Sequence, residues 1–199
     1  KAAKPTAQEP IVLDRVAKTF AMLEQRREQT GTPMLTDGFL EHVDARGAIQ
    51  NIIHEPIGAV ALISSRANTV RANHWHKEDA HLCYVVKGRI EYYERPVGLK
   101  DQAEKYVISV GQGFYTGPRM EHAMYFPEDT IFITLGRLSR TPDDYERDLV
   151  RLEGEAQLAV PKVDPDLTPI GGTPVQHTDG VLSPAAVTDV AAAPPSGAV

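Results

Sequence analysis

The sequence predicts an all-β domain, an antiparallel sandwich or barrel, with a helix on each side of it. Three observations carry this. Between Gly47 and Arg137, short runs of β-branched and aromatic residues alternate with turn signals. That stretch lacks the strand–helix alternation that builds a doubly wound parallel sheet. The segments flanking it repeat their apolar residues at helical spacing instead.

The first element is a helix over Ile11–Gln29. Ile11, Val12, Val16, Phe20 and Leu23 recur near helical spacing, with Arg15, Lys18, Glu24, Arg26 and Arg27 between them. Gly31-Thr32-Pro33 ends it. This helix reads as a packing or dimerisation element. The β runs are Ala48–Ile53, Val60–Ser64, Thr69–His76, Leu82–Val86, Ile90–Tyr93, Tyr106–Val110, Phe114–Thr116, His122–Phe126 and Thr130–Leu135. Glu55-Pro56, Lys87-Gly88, Arg95-Pro96, Gly111–Gly113, Gly117-Pro118 and Pro127–Asp129 punctuate them. A second helix is expected over Pro142–Gln157. Thr141 would cap it, Asp143 and Asp144 occupy its first turn, and Tyr145, Leu149 and Leu152 form a stripe. From Val160 onward lie seven of the fifteen prolines, with much Ala, Thr, Gly and Ser. Such a tail cannot bury enough apolar area to fold alone. The expected division is a helical segment over 1–40, the β-domain over 41–138, a helix within 139–158 and a Pro/Ala-rich tail over 159–199.

Composition removes several functions. The 199 residues are 42% hydrophobic and 24% charged, an ordinary globular balance. The formal net charge of −6 argues against a sequence-independent nucleic-acid binder, which needs a basic face. No apolar run approaches the roughly 20 residues of a membrane span. The single cysteine, Cys83, excludes an internal disulfide framework and a cysteine-only zinc site. A reducing compartment, the cytoplasm, is the expected location. The expected partner is a small molecule, with neither nucleic acid nor membrane involved.

Seven histidines are present, and four of them carry the chemistry. His74 and His76 are two apart in a strand, so both rings project from one face while Trp75 projects from the other. Such a pair can hold one metal ion. His81 opens the next strand after the polar turn Lys77–Ala80. His122 follows the glycine-rich stretch Gly111–Gly117, and in a barrel it could complete the site from a neighbouring strand. Imidazole suits Fe, Mn, Zn, Ni and Cu to differing degrees, so this set implies one divalent transition metal without selecting it. With no carboxylate ligand the ion would keep its full charge, which favours an anionic or enolisable substrate.

At this point the sequence resembles the cupin superfamily. Its first motif is matched by His74-Trp75-His76, four residues, His81, six residues and Gly88, with His81 where the family usually has glutamate. Its second motif is matched more loosely by Gly111, Gly117-Pro118-Arg119 and His122. The resemblance implies a double-stranded β-helix, or jelly roll, and a metal site of His74, His76, His81 and His122. It also implies an enzyme with isomerase, lyase or dioxygenase chemistry on a small oxygenated substrate. A narrower resemblance, on Asp44–Gly47 and Arg71–Lys77, is to cupin-like enzymes that isomerise or epimerise nucleotide-linked keto-sugars without metal. There His74 or His76 would be the general base. Tyr84, Tyr92, Tyr93 or Tyr125 could return the proton, and Arg71, Lys77 or Arg95 could hold a pyrophosphate. Tyr84, Tyr92 and Arg71 are the catalytic candidates. A non-catalytic small-ligand-binding cupin is the third reading.

Alternation adds the pocket wall. If His81 faces inward, so do Cys83 and Val85; if His122 does, so do Met124 and Phe126. Lys77–Asp79 reads as a solvated turn, with Glu78 or Asp79 as possible partners orienting a ligand. A homodimer is expected, because edge strands invite pairing and cupins of this kind are often two-fold dimers.

Overall fold

A computed structural model describes residues 10–35, 40–54, 56–100 and 103–161. All of these lie within the compact unit Lys1–Pro165. The Pro/Ala-rich tail beyond Pro161 lies outside the described residues.

Helix α1 (Pro10–Thr30) is followed by β1 (Met34–Leu35), β2 (Leu40–Asp44) and β3 (Gly47–Gln50). The main strands come next: β4 (Ala59–Ser65), β5 (Thr69–His76), β6 (His81–Lys87), β7 (Arg89–Pro96) and β8 (Glu104–Ser109). They continue with β9 (Gly113–Thr116), β10 (Met120–Phe126) and β11 (Thr130–Gly136). Helix α2 (Pro142–Asp148), β12 (Leu149–Arg151) and a 3-10 turn (Gly154–Ala156) close the described chain. Two antiparallel five-stranded sheets form, in the orders β1-β9-β6-β11-β4 and β12-β5-β10-β7-β8. This is the expected antiparallel jelly roll. The hairpin β2–β3 is a separate two-stranded sheet, so the run expected over Ala48–Ile53 contributes to neither large sheet.

Strand alternation sorts side chains into three layers. Cys83, Val85, Ile90, Tyr92, Ile108, Phe114, Phe126 and Phe132 fill the space between the sheets. The alternate residues of β6 and β11, Leu82, Tyr84 and Leu135, pack with Val16 and Phe20 of α1. That contact explains the apolar stripe of the N-terminal helix, which is half-polar elsewhere. On the outer face of the other sheet, Tyr93 and Ala123 are covered by Leu152 and Leu158. Gly88 turns β6 into β7 at φ +79°, and a Cβ there would lie 2.6 Å from the Asp129 carbonyl oxygen. Only glycine fits that turn.

The second helix is shorter than the sequence predicts. It stops at Asp148, and Leu149–Arg151 instead pairs with β5, placing Arg151 opposite His74. The expected stripe is therefore split. Leu149 and Leu152 are buried from a strand and the turn after it, while Tyr145 remains on the helix. Among the described residues no helix is long and apolar enough to cross a membrane.

Candidate active site

The site begins with a backbone irregularity. Ala72 and Asn73 sit at φ +68° and +57°, in the left-handed region that side chains disfavour. The register of β5 against β10 slips at the same place, so His122 faces His74 while Ala123 faces Ala72. This is a β-bulge immediately before His74-Trp75-His76. It is held by Leu152, whose N–H donates to the Asn73 carbonyl at 2.9 Å, and by Leu158, whose N–H donates to Asn73 Oδ1 at 2.9 Å. Beyond the bulge the two-residue period resumes. His74 and His76 then share the inner side, and Trp75 packs with the outer cluster.

The imidazoles do come together, though not as one symmetrical quartet. Ring centres lie 4.9 Å apart for His74 and His76, 4.7 Å for His74 and His122, and 4.6 Å for His76 and His81. One donor nitrogen each from His74, His76 and His122 lies within 4.8 Å of the others. His81 forms a second group with His76 and Asp79. The expected four-histidine set is thus two overlapping triads that share His76.

Hydrogen bonding fixes which nitrogens are available. Asp148 Oδ2 lies 2.9 Å from His76 Nδ1, and a carboxylate can only accept, so Nδ1 carries the proton. His122 Nδ1 likewise donates to the Met120 carbonyl at 3.0 Å. Both rings keep Nε2 as the lone-pair nitrogen. His76 Nε2 and both His81 nitrogens are buried without a hydrogen-bond partner, although His81 Nδ1 stands 3.5 Å from Asp79 Oδ2. Unpaired buried nitrogens of this kind are costly unless something occupies the space between them. Neutral, buried, lone-pair imidazoles backed by carboxylates are the donor set that transition metals take, so the residues fit the expected ion.

Electrostatics keep these rings neutral. Burial, with the neighbouring His122 and His76, lowers His74 to about 2. Burial lowers His122 to about 4 against the Met120 hydrogen bond, which works the other way. Burial pushes His81 well below the usual imidazole value. It also lowers His76, and Asp148 offsets this only in part. The Asp79 carboxyl is raised by burial.

The rings of His74, His81 and His122 floor a cavity of about 400 Å³. His74, His81, His122, Cys83 and Met124 line it, as do Arg71, Thr116, Thr134, Arg140 and Tyr145. Val85 and Phe126 face the same interior but lie deeper, fully buried in the core. Arg71 is the catalytic candidate that reaches the cavity. Tyr84 faces the other way, toward α1, and its hydroxyl binds Gln50. Tyr92 is interior with its ring 6.2 Å from His122, but its hydroxyl is spent on Glu94 at 3.0 Å and Thr116 at 2.7 Å. Tyr93 binds Glu91 and Tyr125 binds Asn68, both away from the cavity. Lys77 donates to the Arg147 carbonyl, and Arg95 pairs with Glu121 at 2.6 Å, so neither lines the cavity. Asp79 is not part of a solvated turn: it is buried and accepts from the N–H groups of Ala80 and Leu138.

Sequence reasoning passed over Asp148, Tyr145 and Arg140. The Tyr145 ring lies 5.6 Å from His76 and 6.4 Å from His74. All three sit in or beside α2. The signal that could have found them is the cluster of charged and aromatic residues directly after the last barrel strand.

Fold and site together define an antiparallel jelly roll with an imidazole-lined cavity. No family model matches the sequence, and no curated protein does either. Solved structures do resemble it. One is a double mutant of the QdtA 3,4-ketoisomerase from Thermoanaerobacterium thermosaccharolyticum in complex with TDP. It is 21% identical over 60% of this chain and 87% of that one, at a TM-score of 0.50. A 3,4-ketoisomerase from Helicobacter canadensis is 17% identical over 59% and 88%, also at 0.50. The dTDP-4-dehydrorhamnose 3,5-epimerase from Sulfolobus tokodaii is 15% identical over 65% and 86%, at 0.51. At these identities the shared property is the fold.

Proposed function

We propose that this chain is an isomerase or epimerase that moves a proton next to the carbonyl of an anionic keto-sugar, with nucleotide-linked sugars as the favoured class. The observation that carries the reading is the cavity itself: neutral imidazoles on its floor, guanidinium groups of Arg71 and Arg140 on its wall, and, among the described residues, no carboxylate in its lining. The solved structures of the same fold include enzymes named for this chemistry, which supports the class of substrate.

The chain's own groups suit the reaction. His122 reaches the cavity with its Nδ1 proton held by Met120, which leaves Nε2 free to take a proton from carbon. Burial keeps that nitrogen unprotonated at neutral pH. Tyr145, raised by burial, stays protonated and lines the same cavity as the acid, in place of Tyr84 or Tyr92. The test is a panel of thymidine and uridine diphosphate keto-sugars in D2O. The reading expects deuterium to appear beside the ketone and the melting temperature to rise. Neither response across the panel overturns it, and binding without exchange would mark a non-catalytic binding module.

The unpaired buried nitrogens favour a second reading, a metal-dependent enzyme. His74, His76 and His122, or His76, His81 and Asp79, would hold one divalent transition metal (Fe, Mn, Zn, Ni or Cu). When bound, such an ion supplies Lewis-acid polarisation of a substrate oxygen. Metal analysis of purified protein separates the two readings: about one ion per chain, lost in His76→Ala, supports the second, and a content near zero removes it. We also propose a homodimer, to which the exposed Val60 and Leu62 of the edge strand β4 would contribute. Light scattering on the full chain tests this.

A further inference from the structure

We infer that Arg140 is the residue that receives an oxyanion of the substrate, a phosphate or carboxylate group, at the wall of the imidazole cavity. The inference deepens the proposed function and rests on it for the substrate class. It starts from a contrast among the arginines. Arg27, Arg46, Arg89, Arg95, Arg147 and Arg151 each stand within ion-pair distance of an Asp or Glu. Arg140 does not: among the described residues no hydrogen bond or ion pair reaches it, and its Nε is buried without a partner. In a chain of net charge −6, an unpaired guanidinium facing a cavity is unexpected unless the counter-charge arrives from outside.

The surroundings hold Arg140 ready rather than neutralise it. Its guanidinium carbon lies 5.1 Å from the centre of the Tyr145 ring, a cation–π contact that orients the planar fork without using its donors. Asp79, the buried carboxylate whose acidity Arg140 influences, is already engaged by the N–H groups of Ala80 and Leu138. Arg71, the other cavity arginine, is partly spent: its Nε donates to Ser65 Oγ at 2.7 Å and an Nη donates to the Ser64 carbonyl at 2.8 Å. Arg140 therefore offers its donors beside the imidazole floor, with the bidentate geometry that carboxylates and phosphates accept.

The test measures binding by calorimetry on the full chain, as purified and after chelator treatment, so that an ion held by the histidines cannot supply the affinity. The probes are thymidine diphosphate for the phosphate source and oxalate for the carboxylate source. We expect one of them to bind, with affinity about ten- to hundred-fold weaker in Arg140→Gln. Arg140→Lys should fall between, because lysine keeps the charge and loses the fork. Arg147→Gln, a change at an exposed arginine paired with Asp144, should bind as the parent does. Equal affinity in Arg140→Gln, equal loss in Arg147→Gln, or no binding of either probe by the parent overturns the inference. Unliganded melting temperatures identify a variant that has merely failed to fold, and Arg140→Lys then carries the test. The two proposals fail separately. Proton exchange with KM unchanged in Arg140→Gln removes the role of Arg140 alone. Oxyanion binding lost in Arg140→Gln, with no exchange on any keto-sugar, removes the isomerase reading alone.

Discussion

The two ends of the inter-sheet space share strands β6 and β10 and have opposite character. One end is dry: Val85, Ile90, Ile108 and Phe126 are fully buried there, and the Phe126 ring stacks at 5.8 Å on Phe132, which extends from there to the cavity lining. The other end holds His74, His76, His81 and His122, where His76 Nε2 and both His81 nitrogens lack hydrogen-bond partners. β6 runs from His81 through Cys83 to Val85, and β10 runs from His122 through Met124 to Phe126. Alternation decides only that these residues face inward. Distance along the strand decides whether the inward residue packs or does chemistry. Stability should thus reside at the dry end and function at the imidazole end.

The largest expected effects come from one substitution at each end. Phe126→Ala leaves a cavity in a fully buried cluster and should cost about 3–5 kcal/mol in denaturant unfolding. His122→Ala should lower turnover by about 10²–10⁴-fold while leaving the melting temperature within a few degrees of the parent, because the ring it removes borders a cavity rather than the close-packed core. If Phe126→Ala lowers turnover in the folded fraction as much as His122→Ala does, the division is wrong. Asp148→Asn is the next effect in size. It replaces the carboxylate that fixes the His76 tautomer and should lower activity or metal affinity about 10–100-fold. An amide that presents its NH2 to Nδ1 would reverse the tautomer, so the carboxylate band of the wild type and the His76 ring shifts in NMR check the cause directly.

How much of this division the sequence showed differs between the ends. The inward faces of β6 and β10 were legible because alternation is local: inward Cys83, Val85, Met124 and Phe126 follow from the facing of His81 and His122. The His74–His76 pair was legible for the same reason. What was hidden depended on contacts between distant segments. Asp148 meets His76 only because α2 stops early and β12 adds to β5, a boundary set by sheet pairing rather than by helix propensity. Tyr145 looked like one residue of a continuing stripe, and Arg140 belonged to no motif. Tyr84 and Tyr92 were plausible acids until alternation and hydrogen bonding accounted for their hydroxyls.

The ends should also separate in acid. His122 is held at about 4 when folded and titrates near 6.5 when unfolded. The unfolded chain therefore binds more protons in this window, and stability falls as pH falls. The contribution of the neutral ring is complete above pH 6.5 and is lost progressively as pH drops through about 4. Chelator-treated wild type should show a melting temperature that declines across that range, and His122→Gln should show a flatter decline. The dry-end aliphatic and phenyl side chains have nothing to titrate, so Phe126→Ala should decline in parallel with the wild type. Equal slopes in wild type and His122→Gln would remove the assignment.

The smallest expected effect reaches the imidazole end through its support. Thr141 caps α2: its Oγ1 accepts from the Asp144 N–H at 3.3 Å and donates to Asp144 Oδ2 at 2.6 Å. A helix of seven residues has few internal hydrogen bonds, so its cap is a large fraction of what holds it. This helix presents Tyr145 to the cavity and ends at Asp148 beside His76. Thr141→Ala should therefore cost only about 1 kcal/mol, and the loss should be confined to one end. Amide hydrogen exchange should quicken over residues 142–148 and stay unchanged in β6, β10 and β11, with a modest drop in turnover and no change in the dry-end NMR signals. Faster exchange throughout the sheets would mean that the two ends fold as one cooperative block, and that the functional end is not locally adjustable in the way its separate hydrogen bonding implies.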